Sequence, residues 1–181
     1  MELTLGLKGT RIIALVDDLY DELALWHPVL RLREEGADVA LAGAEAGHVY
    51  RSTLGYPARS DLAYGSALPR EFDGVLIPGG FAADHIRRHI RANQLICEMD
   101  WDGKLIASMG RGAWVLCSAG ILKGRRATCF SSIKDDVIHA GAEYEDAEVV
   151  IHGNLVTSRT AEDLPAFCRA LLRTFSEPVA A

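Results

Sequence analysis

Three short apolar runs, each ending in small or acidic residues and each followed by a stretch with helical spacing, constrain this chain more than anything else in it. Arg11–Val16 runs into Asp17-Asp18, and Glu22–Glu35 then carries apolar residues at 23, 25, 26, 29, 30 and 32 before Gly36 stops the helix. Asp38–Ala42 is the next strand, and a β-α-β unit of this length implies parallel strands with a right-handed crossover. Gly74–Ile77 ends in Pro78-Gly79-Gly80, and Ala82–Met99 is predicted as one helix. Leu105–Ala107 ends in Ser108-Met-Gly-Arg-Gly112, followed by a helix over Ala113–Ala119 that Gly120 closes.

The remainder fills in around that frame. Residues 43–68 read as an excursion with short antiparallel strands, beginning at Val49. Ala127–Phe130 reads as a short strand, Ile133–His139 as a helix, and 148–158 as a hairpin turning at His152-Gly-Asn154. Ala161–Phe175 is the final helix. The alternation predicts an α/β sandwich around a mainly parallel sheet. Ligands of such sheets collect at the carboxyl ends of the strands. Here those ends are Asp17-Asp18, Pro78-Gly79-Gly80 and Met109-Gly110-Arg111, which are expected to converge.

The bend at 108–112 has the layout of a nucleophile elbow, in which a strained turn lifts one side chain above the sheet toward backbone N–H groups. Its apex is Gly110, which has no side chain to present.

A length of 181 residues suits one domain, with a core at about 9–175 and short tails. The net charge of −6 argues against nucleic acid, which needs clustered basic surface. Arg87, Arg88 and Arg91 do cluster, but Glu98 and Asp100 follow, so they read as the solvated face of a helix. No apolar run reaches the roughly 20 residues that span a bilayer, and the first residues lack a secretory pattern. Cys97, Cys117, Cys129 and Cys168 show no Cys-x-x-Cys spacing. Reduced thiols in a cytoplasmic protein are expected, with no zinc, no cofactor and no membrane partner.

Several segments together carry a family resemblance. They are Leu19–Pro28, Pro78-Gly-Gly80, Ser118–Arg125, Ser132–Asp136, Ala140–Glu143, Gly153–Arg159 and Asp163-Leu-Pro165. The chain resembles the DJ-1/PfpI (ThiJ/PfpI) superfamily, in its PfpI-like bacterial branch, over roughly residues 9–175. The resemblance implies a flavodoxin-like, class I glutamine amidotransferase-like α/β sandwich, and a homodimer or hexamer. It also implies a pocket built by an elbow Cys, a following His and a Glu from the first helix. Aligned on Gly112, Trp114 and Ser118-Ala-Gly120, that Cys falls on Gly110 and the His on Arg111. Aligned on Pro28, the Glu falls on Ala24; the acid after Pro-Gly-Gly falls on Asp84, and an aromatic hydroxyl position on Phe130. With three coupled replacements, the expectation is a non-catalytic, binding or stress-related homo-oligomer rather than a cysteine-dependent glyoxalase, deglycase or protease. The alternative is a cofactor-independent lyase, hydratase, isomerase or cyclase acting on a small carbonyl compound.

Candidate residues follow. Arg111 opens the elbow helix, and with the amides of Gly80 and Gly110 it would hold a carboxylate, phosphate or enolate oxygen. The competing reading pairs Arg111 with an acid such as Asp84 at a subunit contact. Among Asp17, Asp18, Asp21 and Glu22, the proton carriers chosen are Asp18 or Glu22, against simple helix capping. Asp84 and His85 form a candidate acid/base pair. His85 and His89, four apart, read as a polar helix face before a metal pair. Gly79, Met109, Phe130 and Tyr20 are expected to line the pocket. Cys117 is expected to be inert, and Cys129 is the weaker candidate for a reactive thiol.

Overall fold

The computed structural model describes residues 6–176, so most of the short tails expected outside 9–175 lies outside the described residues. The first strand, β1 (Arg11–Leu15), leads to α1 (Glu22–Glu34) and β2 (Asp38–Gly43). The excursion contains β3 (Val49–Arg51) and β4 (Pro57–Arg59), paired antiparallel as expected, and β5 (Leu62–Ala63), which rejoins the main sheet. Then come β6 (Gly74–Ile77), α2 (Ala82–Ile86), α3 (Ile90–Trp101), β7 (Leu105–Met109) and α4 (Ala113–Ala119). The chain closes with β8 (Arg126–Ala127), α5 (Lys134–His139), β9 (Glu143–Tyr144), β10 (Val149–His152), β11 (Leu155–Ser158) and α6 (Leu164–Ser176).

The main sheet has seven strands in the order β10-β11-β7-β6-β1-β2-β5. All its pairings are parallel except the β10–β11 hairpin. Helices cover both faces, so the central strands are apolar throughout; all five residues of β7 and all four of β6 are buried. The large fully buried side chains of Ile12, Ile13, Leu76, Ile77, Ile96, Met99 and Phe167 fill the two layers between sheet and helices. This is the α/β sandwich with a mainly parallel sheet that the strand–helix alternation predicts.

One expected helix divides in two. The run from Ala82 breaks after Ile86, because His89 adopts an extended backbone (φ −86°, ψ 110°). The Asn93 amide donates to the freed Arg87 carbonyl at 2.9 Å, which stabilises the break. His85 and His89 therefore do not share one helical face. They turn toward Asp17 instead, with Nδ1 of His85 3.7 Å and Nε2 of His89 3.6 Å from its carboxylate.

Candidate functional site

In sheet order β7, β6 and β1 are neighbours, so the three strand ends meet as the sequence predicts. A cavity of about 190 Å³ lies there, lined by Asp21, Ala24, Gly79, Gly80, Met109, Gly110, Arg111, Phe130, Arg159, Thr160 and Ala161. A larger hollow of about 540 Å³ sits at the opposite, amino-terminal edge. Its polar groups are already used: Lys104 Nζ donates to the carbonyls of Pro69 and Phe72, and the Asn154 amide to Asp100 and the Lys104 carbonyl. The smaller cavity stands where parallel sheets bind ligands and keeps unspent groups, so it is the candidate site.

Backbone geometry builds its walls. Gly80 has φ +84°, and a Cβ there would come within 2.5 Å of the Asp21 nitrogen and 2.6 Å of the Leu19 oxygen. Only glycine allows β6 and the loop after β1 to close this tightly. Leu19 itself has φ +65°, a conformation that costs a side-chain-bearing residue about 1–3 kcal/mol and gathers near functional sites. Gly110 caps the elbow at φ +58°, and a Cβ there would meet the Arg159 oxygen at 3.3 Å. The bend is therefore present as expected, with a glycine at its apex.

Ala24 faces Gly110 across the cavity floor, since both line the same space. Pro28 lies within α1 and has no N–H, so the Ala24 carbonyl lacks its helical donor. The N-cap of α1 is Asp21, whose Oδ1 accepts from the Ala24 amide at 3.0 Å. Asp21 is thus both the cap that the sequence suggests and the one acid lining the cavity.

The acids chosen from the sequence sit elsewhere. Asp18 is exposed and accepts from the Arg51 amide at 2.8 Å. Glu22, one residue past the cap, is rotated about 100° round the helix and points away. It accepts from the Ser52 hydroxyl and, at 2.7 Å, from the Leu54 amide. Burial pushes its carboxyl up, but those hydrogen bonds and its own amide outweigh it and hold it below the usual range. Tyr20 is fully buried, its hydroxyl donating to the Tyr56 carbonyl at 2.7 Å and accepting from Trp26 at 3.2 Å, so it packs rather than lines the cavity.

Asp84 and His85 turn to different partners. Asp84 pairs with Arg88 on its own helix, and His85 approaches Asp17. Among the described residues no group of three or more His, Cys, Asp or Glu is arranged to hold a metal ion. Arg111 does line the cavity, but its partner is aromatic: the guanidinium carbon lies 4.8 Å from the Phe81 ring centre and 4.3 Å from that of Phe130. Such contacts are worth about 0.5–2 kcal/mol each and fix the side chain.

Sequence reasoning missed the fourth wall. β11 runs parallel to β7, with Ser158 opposite Met109, which brings Arg159–Ala161 to the same edge. The signal was available in Thr160-x-x-Asp163, a capping box that stops a strand and starts a helix. Arg159 is spent on Asp163, through two bonds of 3.0 Å, and on Asp146 at 2.7 Å.

The cysteines are poor nucleophiles. Burial pushes the Cys129 thiol up to about 12, and Cys117 and Cys168 each up to about 11. Cys129 is 1% exposed and does not line the cavity, which removes it as the reactive thiol expected from the sequence.

The sequence pattern of the DJ-1/PfpI family matches residues 10–174. A deglycase of Pyrococcus abyssi is 40% identical over 163 residues, covering 90% of this chain and 98% of that protein. The protein/nucleic acid deglycase 2 of Escherichia coli is 34% identical over 165 residues, covering 90% of this chain and 96% of its own length. Among solved structures, a two-domain protein of Anabaena variabilis with DJ-1/ThiJ/PfpI-like and ferritin-like domains superposes with a TM-score of 0.90 at 30% identity. That match covers 95% of this chain and 52% of the other. These names overturn the expectation of a silent binding oligomer, because relatives matched over nine-tenths of the chain are named for catalysis. The activity they carry is deglycation, not the lyase-type chemistry held as the alternative. By pattern, by relatives and by fold, the chain belongs to the DJ-1/PfpI family.

Proposed function

We propose that this chain is a deglycase-type enzyme that cleaves the carbinolamine formed between an amine and a short aldehyde, using the cavity at the carboxyl edge of the sheet. In that step the adduct's hydroxyl proton passes to a base and the C=O bond re-forms. The C–N bond breaks, and the departing nitrogen takes up the proton. Amine and aldehyde are the only products, so the step balances without a thiolate. The reading takes Gly110, Arg111 and Ala24 as the positions of the family's Cys, His and helix Glu, in line with the alignment on neighbouring residues.

One observation carries it: Asp21 is the single carboxylate among the residues lining the cavity. Its Oδ1 is committed to the helix cap, while its Oδ2 has no hydrogen-bond donor among the described residues. A carboxylate oxygen without a donor, on a residue that lines the cavity together with Gly79, Gly80, Gly110 and Arg111, suits general-base cleavage with a polarised carbonyl. The deglycase relatives support the substrate class. A cytoplasmic homo-oligomer completes the reading, its reduced compartment supported by four free cysteines.

The test is release of free amine from a glyoxal-derived carbinolamine, followed by a fluorogenic amine reagent. Asp21→Asn retains the helix cap, since Asn caps as well as Asp. It is expected to lower kcat by about 10²–10⁴-fold with the melting temperature unchanged. Turnover that survives Asp21→Asn, or that iodoacetamide abolishes, refutes the assignment.

A further inference from the structure

Two guanidinium groups line the cavity, and they are in opposite states. Arg159 is paired with Asp163 and Asp146 through three hydrogen bonds, and those bonds raise its already high proton affinity further. The Arg111 side chain makes no hydrogen bond and no ion pair among the described residues. The rings of Phe81 and Phe130 hold its charge by cation–π contact at 4.8 and 4.3 Å, yet ring faces take up none of its N–H donors. The nearest acid on α2, Asp84, is engaged by Arg88. A planar fork of donors that lines the cavity and has no carboxylate in salt-bridge reach among the described residues is suited to clamp an anion.

The size of the space limits what the anion belongs to. About 190 Å³ falls below the roughly 300–1,000 Å³ of pockets for drug-sized ligands and corresponds to about six water volumes. A two- or three-carbon carboxylate carrying one carbonyl fits within that volume. We infer that Arg111 is a specificity-determining residue that grips a carboxylate, so that the aldehyde half of the adduct is a short 2-oxo acid of glyoxylate size. This rests on the deglycase reading above and adds the substrate's second functional group. The carbinolamine of glyoxylate breaks as before: its hydroxyl proton leaves, the aldehyde C=O forms, and the amine departs with the proton. The carboxylate is unchanged throughout and serves only to hold the adduct with its hydroxyl toward Asp21.

The experiment compares adducts of one amine with glyoxylate and with neutral glyoxal, using the full chain and its Arg111→Gln and Arg111→Lys variants. The wild type is expected to show a KM at least tenfold lower for the glyoxylate adduct. Arg111→Gln is expected to remove that advantage, costing the glyoxylate adduct at least tenfold more in kcat/KM than it costs the glyoxal adduct. Arg111→Lys, which keeps the charge and loses the fork, is expected to fall between. Equal KM values in the wild type, or an equal loss on both adducts in Arg111→Gln, overturn the clamp while leaving deglycation standing. Retained preference with a changed oligomer size in light scattering also overturns it and moves Arg111 to a subunit contact. Should neither adduct be cleaved, calorimetric titration with glyoxylate alone decides. Binding that Arg111→Gln abolishes upholds the clamp and sinks the deglycase reading; no binding sinks the clamp.

Discussion

Placing a thiol at the apex of the elbow tests whether position 110 faces the cavity. Gly110 lies at φ +58°, where any other L-residue pays roughly 1–2 kcal/mol for its Cβ. A Cβ would also stand 3.3 Å from the Arg159 oxygen and 3.8 Å from the Gly79 Cα, contacts that a shift of a few tenths of an ångström relieves. Gly110→Cys is therefore expected to fold, with a melting temperature lower by about 2–8 °C for a chain of this size. Its reactivity is worked from the native thiols. At pH 7.5 an ordinary cysteine near 8.5 is about 10% thiolate, whereas one pushed up to about 11, like Cys117, is roughly 0.03%. Iodoacetamide labelling, mapped by mass spectrometry, is expected at position 110 on the order of a hundredfold faster than at Cys117, Cys129 or Cys168. Labelling at 110 no faster than at those three would show that the apex does not open to the cavity. A stability loss beyond about 4 kcal/mol would show that the bend cannot accept a side chain at all.

Two further outcomes follow from the walls. Gly80→Ala drives a Cβ to 2.5 Å from the Asp21 nitrogen at φ +84°, and is expected to destabilise by about 3 kcal/mol or more in urea unfolding. Asp163 is buried, and its bonds to Arg159 hold its carboxyl below the usual range despite the opposing push of burial. A depressed folded pKa gives stability that is fully present above the unfolded value near 3.9 and is lost as pH falls through the folded one. Urea midpoints of the wild type are thus expected to drop on acidification below about pH 4, and Asp163→Asn is expected to be less stable at neutral pH and to flatten that acid limb.

The strands of the main sheet's centre, the hairpin at Gly153 and the convergence of β1, β6 and β7 were legible because each rests on a local pattern: apolar runs, turn residues and β-α-β spacing. The strand expected over Ala127–Phe130 is instead Arg126–Ala127, and β9 was not foreseen. The break after Ile86 was not, because His89 leaves helical geometry for a tertiary reason, the docking of His85 and His89 near Asp17. The choice of acid failed for the same kind of reason. Asp18, Asp21 and Glu22 are equivalent as letters, and only the 100° step of the helix separates the residue at the cavity from the one bound to Ser52. Arg111 was identified from its place beside the apex, while its aromatic neighbours depend on loops distant in sequence, so within the chain its partners are rings rather than Asp84. The capping box marked where β11 gives way to a helix, but placing Arg159–Ala161 at the cavity also required knowing that β11 lies beside β7, a pairing across some fifty residues.

The cavity takes its lining from segments that follow β1, β6, β7 and β11, so no stretch of the chain owns it. Its shape is set by the mutual alignment of four strands, and a slip of one residue between any two would pull a wall out of place. Ligand affinity in this protein is therefore a gauge of sheet alignment as a whole. A piece ending before Ser158 lacks a side of the container however well its remaining strands pair.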